Sequence, residues 1–236
     1  MKYKRIIIKL SGEALADEKS KLIFNAKYLD EIAKTIKRMH DKGVEIGIVV
    51  GAGNIWRGKL ANQIGIENAT ADYMGMLGTI INALAIQSAL DNNGLICRVM
   101  SALDVKSVAE PYIRKRAIRH LQKGRIVIFA GGTGNPFFTT DTAAALRAID
   151  IGAEAIFAAK NGVDGVYSDD PRKNPKAEFI KEISFEDVVA KNLQVMDQTS
   201  ITMLIGKGIV IKVFNMANSQ NFLDALDGKD VGTTIK

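Results

Sequence analysis

The sequence predicts an α/β fold: a mostly parallel, open sheet with helices on both faces. Three observations carry that reading. Six runs of strand length, at residues 5–10, 45–50, 95–100, 125–130, 155–159 and 209–214, are rich in Ile and Val, as strands covered on both faces are. Stretches with helical spacing separate them, the alternation that builds βα units. Three runs are followed by glycine turns, Leu10-Ser11-Gly12, Gly51-Ala52-Gly53-Asn54 and Gly131-Gly132-Thr133-Gly134-Asn135, at the strand ends where open parallel sheets bind ligands.

Taken in order, Met1-Lys2-Tyr3-Lys4-Arg5 is basic like the start of a secretory signal, but Lys9 interrupts the apolar run after Ile6-Ile7-Ile8, so the segment reads as a strand. Asn25 is the predicted N-cap of a helix whose Leu29, Ile32, Ala33, Ile36 and Met39 follow helical spacing and which Gly43 stops. Residues 73–90 are 18 positions without a formal charge, close to the shortest span that crosses a bilayer. Asn82, Gln87 and Ser88 within it, and Asp72 and Asp91 at its ends, make it instead a helix buried in protein, in the monomer core or partly at a subunit contact. Pro111 is predicted to open a helix that Gly124 ends, and Asp141 one that Gly152 ends. Ser184 caps another, with Asp187 three residues on. Residues 163–177, with Asp164-Gly165, Asp169-Asp170-Pro171 and Asn174-Pro175, have turn chemistry and read as an excursion between two halves of the sheet. The 236 residues suit one large domain with halves at 1–152 and 153–236.

Composition works by exclusion. A chain 47% hydrophobic and 25% charged is not disordered, collagen-like or disulfide-stapled. Its 32 Lys and Arg against 26 Asp and Glu give +6, a sign that suits nucleic acid, an anionic membrane surface or phosphorylated small molecules alike. The densest basic stretch, Arg114-Lys115-Arg116 with Arg119, His120, Lys123 and Arg125, has Ile113, Ala117, Ile118 and Leu121 on one helical face and reads as a solvated outer face rather than a nucleic-acid contact. Cys97 is the one cysteine, which rules out an intramolecular disulfide and points to a reducing cytoplasm. His40 and His120 are the only histidines; no Cys/His cluster for zinc and no Ser-His-Asp triad is available.

Glycine lets backbone N–H groups approach phosphate oxygens, and each glycine turn brings one charged residue. Lys9 ends an otherwise apolar strand, either snorkelling or held as a cation over a transferring phosphate. Arg57 has the planar fork for a bidentate grip on phosphate. Asp141 is either a helix cap or an orienter of Lys9 and Mg²⁺. Two familiar signatures fail: G-x-x-x-x-G-K-[ST] does not occur, and a dinucleotide fingerprint would need glycine where Trp56 stands. Asp72, about twenty residues on, is therefore not a ribose-binding acid of that kind.

Together, Lys9-Leu10-Ser11-Gly12-Glu13-Ala14, Gly53-Asn54-Ile55-Trp56-Arg57-Gly58, Asp72-Tyr73-Met74-Gly75-Met76 and Thr133-Gly134-Asn135-Pro136-Phe137-Phe138-Thr139-Thr140-Asp141 resemble the bacterial uridylate kinases of the amino acid kinase superfamily. The resemblance continues through Val163-Asp164-Gly165-Val166-Tyr167, Asp170-Pro171, Val195-Met196-Asp197 and Val213-Phe214-Asn215-Met216, so it spans essentially the whole chain. The string from Gly134 to Asp141 is highly specific, whereas Lys9-Leu10-Ser11-Gly12 alone marks the superfamily.

The resemblance implies a single three-layer α/β/α sandwich of the amino acid kinase fold, with UMP over residues 1–152 and ATP over 153–236. It implies transfer of the ATP γ-phosphoryl group to UMP in pyrimidine nucleotide biosynthesis, with Mg²⁺ held mainly through nucleotide phosphates rather than by a protein metal site. It further implies a cytoplasmic homohexamer without nucleic-acid or membrane partners, with UTP as a feedback inhibitor. By position, Lys9, Leu10, Ser11, Gly12 and Gly53 would embrace the transferring phosphate, with Asn161, Tyr167 and Asp170 on the adenosine part of ATP. Ala52, Arg57, Asp72, Thr133, Gly134, Asn135, Pro136, Phe137, Phe138, Thr139 and Thr140 would hold UMP, with Arg57 shared with ATP. Lys9 and Asp141 would be the catalytic pair and Asp197 an accessory carboxylate; the Pro136-Phe137-Phe138 loop would exclude water. The alternatives are another superfamily phosphotransferase with a different small acceptor, a catalytically silent nucleotide-binding regulator, and, third, a basic nucleic-acid-binding module.

Two departures from the family pattern matter. Ala52 replaces a glycine and is harmless if its φ is negative. Asp17-Glu18-Lys19-Ser20-Lys21-Leu22 replaces a glycine-rich segment linked in the family with GTP activation, so GTP activation is predicted to be weak or absent.

Overall fold

A computed structural model describes every residue except Glu18, Lys19, Asn161, Asp170, Arg172 and Pro175, and describes Lys59 and Asn62 by backbone alone. The first half of the chain holds β1 (Arg5–Leu10), α1 (Ala26–His40), β2 (Glu45–Val50), α2 (Asn68–Asn92), β3 (Cys97–Ser101), β4 (Glu110–Pro111), α3 (Arg114–Gln122), β5 (Ile126–Ala130) and α4 (Thr140–Ile151). The second holds β6 (Ala155–Lys160), β7 (Val166–Tyr167), β8 (Phe179–Ile180), β9 (Glu182–Ile183), α5 (Phe185–Ala190), α6 (Gln198–Leu204), β10 (Val210–Asn215), α7 (Gln220–Leu226) and β11 (Thr233–Ile235).

The main sheet has the order β4-β3-β5-β2-β1-β6-β10-β11-β9. Its neighbours run parallel except β10 and β11; β7 and β8 form a small antiparallel ribbon. Strand side chains alternate between the faces, and the core divides accordingly. Ile6, Ile8 and Leu10 pack with Ile36 and Met39 of α1, Ile80 and Ile86 of α2 and Phe222 of α7. Ile7, Ile156 and Ile211 pack on the other face with Leu121 of α3, Ala144 of α4, Phe185 of α5 and Leu204 of α6. Each fully buried Ile or Leu contributes about 1.5–3 kcal/mol relative to exposure. The α/β expectation with covered faces is met.

Several element boundaries need correction. Pro111 lies in β4, and α3 starts later, at Arg114, after an exposed Ile113. Asp141 is not the cap of α4; Thr139 is, its Oγ1 accepting from the N–H groups of Asp141 and Thr142. Asn25 and Ser184 cap as expected, accepting from Tyr28 N–H at 3.1 Å and Asp187 N–H at 3.0 Å. Although α2 is long and apolar enough to cross a membrane, it packs in the core through Ile80, Ala83, Ile86 and Leu90. Tyr73, Leu77 and Ile81, at helical i, i+4 spacing, are exposed on its other side.

Candidate active site

The glycine turns follow β1, β2 and β5, which are near neighbours in the sheet, so all three open at one edge. Lys9 shares a face of β1 with Ile7, the face covered by α4, and there its Nζ lies 2.7 Å from Asp141 Oδ1. Freed from capping by Thr139, Asp141 holds the lysine in place; both side chains are mostly but not wholly buried.

The first two turns touch. A Cβ on Gly12 would lie 2.4 Å from Gly51 O and 2.7 Å from Gly53 N, so only glycine allows this backbone-to-backbone approach. The methyl of Ala52 points away from the crevice, toward Gly78 of α2, where an added Cβ would come within 2.9 Å of it. Ala52 also stays out of the left-handed region, so the departure from glycine costs no strain. Leu10 is fully buried and contributes its carbonyl, which accepts from Gly51 N–H at 3.1 Å.

Helix α2 holds the loops from behind. Asn82, with no exposed surface, donates to Gly51 O at 2.7 Å and exchanges amide hydrogen bonds with Asn54 at 2.7 and 3.0 Å. One turn back, Thr79 Oγ1 accepts from Gly131 N–H at 2.8 Å and donates to Met76 O at 2.7 Å. Near the start of the helix, Asp72 Oδ2 accepts from Phe137 N–H at 2.7 Å. Phe137 has φ +71°, a left-handed conformation costing about 1–2 kcal/mol in a bulky residue, and the Asp72 contact helps hold it. The rings of Phe137 and Phe138 are exposed.

Asp197 clamps the start of α4. It accepts from the Thr139 and Thr142 hydroxyls and, as the N-cap of α6, from Ser200 N–H at 2.9 Å. Thr139 Oγ1 is thereby committed as both donor and acceptor. Thr133 Oγ1 donates to Asn135 O at 3.1 Å and accepts from Asn135 N–H at 3.2 Å, while Gly134 has φ +87°, which gives the loop a self-contained turn. Arg57 lies at the rim, its Nη2 3.2 Å from Glu13 Oε1 and its Nε donating to Gly53 O at 3.2 Å.

On the other side of Lys9 opens a cavity of about 710 Å³ lined by Lys9, Ser11, Glu13, Lys160, Gly165 and Tyr167, among others. Tyr167 meets Phe179 edge to face at 5.3 Å. Burial, followed by repulsion from Lys9, lowers the Lys160 ammonium below its ordinary value, and Asp141 partly opposes this. The expected adenosine contacts Asn161 and Asp170 lie outside the described residues.

Sequence reasoning missed three groups. Lys160 closes the apolar run of β6, the same local signal that marks Lys9 in β1. Thr79 and Asn82 were legible only as polar residues in a charge-free helix. Arg147, buried in α4, stacks on Tyr112 at 3.7 Å and pairs with Asp150 at 3.0 Å; nothing in its sequence neighbourhood marked it. Cys97 is buried, and burial and Asp91 push its thiol up to about 12, which makes it inert.

A fixed lysine between glycine loops and an open cavity defines a phosphate-handling α/β protein of the phosphotransferase class. A profile of the amino acid kinase family matches residues 4–215. The chain is 52% identical to the uridylate kinase of Limosilactobacillus reuteri over 236 residues, covering 100% of this chain and 98% of that protein. Among solved structures it is similar to UMP kinase from Bacillus anthracis, with TM-score 0.96 and 45% identity over 99% and 96% of the two chains. It is also similar to UMP kinase from Ureaplasma parvum, with TM-score 0.93 and 35% identity over 100% of both. The chain belongs to the amino acid kinase family, in its uridylate kinase branch.

Proposed function

We propose that this chain transfers the γ-phosphoryl group of ATP to the phosphate of UMP, giving UDP and ADP. The observation that carries the reading is the Lys9 ammonium, pinned 2.7 Å from Asp141 where the glycine loops meet the cavity. An oxygen of the UMP phosphate attacks the γ-phosphorus; the new O–P bond forms as the bond to the β,γ-bridging oxygen breaks, and ADP leaves. That oxygen is already ionised, so the reaction needs alignment and charge neutralisation rather than a strong base. Lys9 supplies charge, and Asp141 keeps it aimed.

The acceptor belongs over residues 1–152 and the donor over 153–236. Asp72, which now accepts from Phe137 N–H, would accept from ribose hydroxyls, and the backbone of residues 133–140 would wrap the acceptor, with Phe137 and Phe138 shielding it from water. Arg57 would exchange Glu13 for phosphate. Ser11, Gly12, Gly53 and Tyr167 would contact ATP. Asp197 acts as a positioning residue through Thr139 and Thr142.

No group of three His, Cys, Asp or Glu residues gathers as a metal cage among the described residues. The donor set suits an ion that arrives on the nucleotide and keeps its waters, the behaviour of Mg²⁺, with Asp141 a carboxylate that would help orient it. When bound, Mg²⁺ would neutralise charge on the β- and γ-oxygens. The lone thiol supports a cytoplasmic setting, and conversion of UMP to UDP would place the reaction in pyrimidine biosynthesis. The exposed Tyr73, Leu77 and Ile81 of α2 support self-association through this helix within a homohexamer. UTP, which shares the uridine of UMP, would compete for the acceptor side as a feedback inhibitor.

A panel of acceptors with Mg-ATP tests the reading. UMP should outperform CMP, acetylglutamate and carbamate, and GTP should leave the rate within about twofold, a difference of under 1 kcal/mol. Failure of UMP to lead the panel would refute the substrate assignment, and a several-fold activation by GTP would refute the regulatory one.

A further inference from the structure

Lys9 and Lys160 stand on neighbouring strands and point the same way. In the parallel register of β1 and β6, Lys9 is opposite Ala158, and Lys160, two residues on, shares the face of Ala158. That face also carries Ile7 and Ile156 and is covered by α4. One strand spacing sideways and two residues along place the two Cα atoms roughly 8 Å apart, so two lysine side chains can reach one phosphate group.

The two cations are held differently. Lys9 is neutralised by Asp141 at 2.7 Å. Lys160 has no ion-pair partner among the described residues; its Nζ donates to the carbonyl of Val195, a neutral acceptor. A largely buried ammonium without a counterion is costly, and here a like charge adds to the cost, since Lys9 is among the groups that act on it. Asp141 is the carboxylate that faces it, and that carboxylate is already engaged by Lys9. Both lysines line the same cavity. An unpaired cation facing an open cavity is arranged for an anion that is brought in from outside.

We propose that Lys160 is a second phosphate-contacting cation of the donor site, exchanging the Val195 carbonyl for the ATP phosphates when nucleotide binds and sharing their charge with Lys9. The inference rests on the reading that ATP occupies this cavity. It assigns the lysines distinct tasks: Lys9, fixed by Asp141, marks where the transferring group must sit, while Lys160, held by one neutral contact, is free to follow the phosphates.

The test separates phosphate recognition from the tether to Val195. Affinities for ATP and for adenosine are measured by calorimetry in wild type, Lys160→Met, Lys160→Gln and Lys160→Arg, alongside turnover of ATP with UMP and the melting temperature of the free protein. Lys160→Met should lose about tenfold or more in ATP affinity, as expected for a lost charge-assisted contact, while adenosine affinity and the KM for UMP stay within about twofold, under 1 kcal/mol. Its melting temperature should be unchanged or higher, since the unpaired buried charge is gone. Lys160→Gln, which retains a donor for Val195, should show the same ATP-specific loss, and Lys160→Arg should recover most of it. Parallel falls in ATP and adenosine affinity, or no change in either, would overturn the inference. Wild-type protein that does not turn over ATP with UMP would overturn the functional reading and this inference with it. Active wild type matched by Lys160→Met would overturn this inference alone.

Discussion

The two sides of the crevice solve different problems. On the proposed acceptor side, backbone is held from behind: Asn82 and Thr79 hold the Gly51 and Gly131 turns through buried hydrogen bonds, Gly12 packs against the first of them, and Asp197 clamps the start of α4. On the proposed donor side, a wide cavity is lined by Lys9, Lys160 and Tyr167, and its cations rather than its backbone would carry the recognition. The difference follows from the chemistry. An acceptor must be aligned in a narrow range of geometry for in-line attack, whereas a triphosphate is recognised chiefly by neutralising its charge.

The sharpest break in that comparison removes the charge between the sides. Lys9→Ala and Asp141→Ala should each lower turnover by about 10²- to 10³-fold, the range for losing one preorganised electrostatic contact, while UMP affinity measured by calorimetry largely survives. An unchanged rate in either variant would defeat the mechanism. Next in size is a break in the backbone framework where the Gly12 turn meets the Gly51 turn. Gly12→Ala forces a Cβ to within 2.4 Å of the Gly51 carbonyl. Backbone must move, at a cost of about 1–3 kcal/mol in stability, and a displacement near 1 Å costs turnover about 10²-fold. Thermal unfolding and kcat measured together check both.

A milder probe leaves the loop glycines intact and removes what holds them. Asn82→Leu leaves Gly51 O and Asn54 Oδ1 unsatisfied, and Thr79→Val does the same to Gly131 N–H; each should cost about 1–3 kcal/mol. Acceptor-side kinetics should suffer, with kcat/KM for UMP down about tenfold, near 1.4 kcal/mol, and ATP affinity unaltered. Thr79→Ser, which keeps the hydroxyl, should restore most of the loss. Equal damage to ATP binding would erase the distinction between the two sides.

These differences also explain how much was legible beforehand. The sheet and its glycine turns were readable because apolar runs and glycine punctuation are local signals, and Lys9 stood out as a charge closing such a run. Asp141 was visible, but its freedom from capping was not, because that depends on Thr139 accepting two N–H groups only once α4 has formed. The scaffolding roles of Asn82 and Thr79 exist only when α2 packs behind loops about 30 to 50 residues away, beyond any local pattern. Arg147 on the ring of Tyr112 is likewise a tertiary fact. The charge of +6 proved a poor guide: in the crevice, Lys9 is balanced by Asp141 and Arg57 by Glu13, and Lys160 alone among these is left uncompensated.

The smallest expected effect isolates that uncompensated charge through pH. Because the folded state lowers the Lys160 pKa below its ordinary 10.5, the unfolded chain binds more protons in the alkaline interval between the two values. Stability from this group therefore rises with pH across that interval, and the penalty is fully present below it. Two other sets of groups act in the same region. Lys212, lowered chiefly by burial and then by Lys2, has the same sign. Cys97, raised from 9.0 to about 12, and the partly buried Tyr28 and Tyr112, raised above 10.0, have the opposite sign, because the folded state keeps protons the unfolded chain has released. The total curve mixes these contributions, so the informative quantity is the difference between wild type and Lys160→Met, followed by urea unfolding from pH 7 upward. That difference should change with pH in the direction of relief for wild type, and Lys212→Met should leave it intact. With saturating ATP, whose phosphates give Lys160 its missing partner, the relief should disappear; a difference curve that is flat without nucleotide would mean that the buried ammonium carries no penalty for ATP to remove.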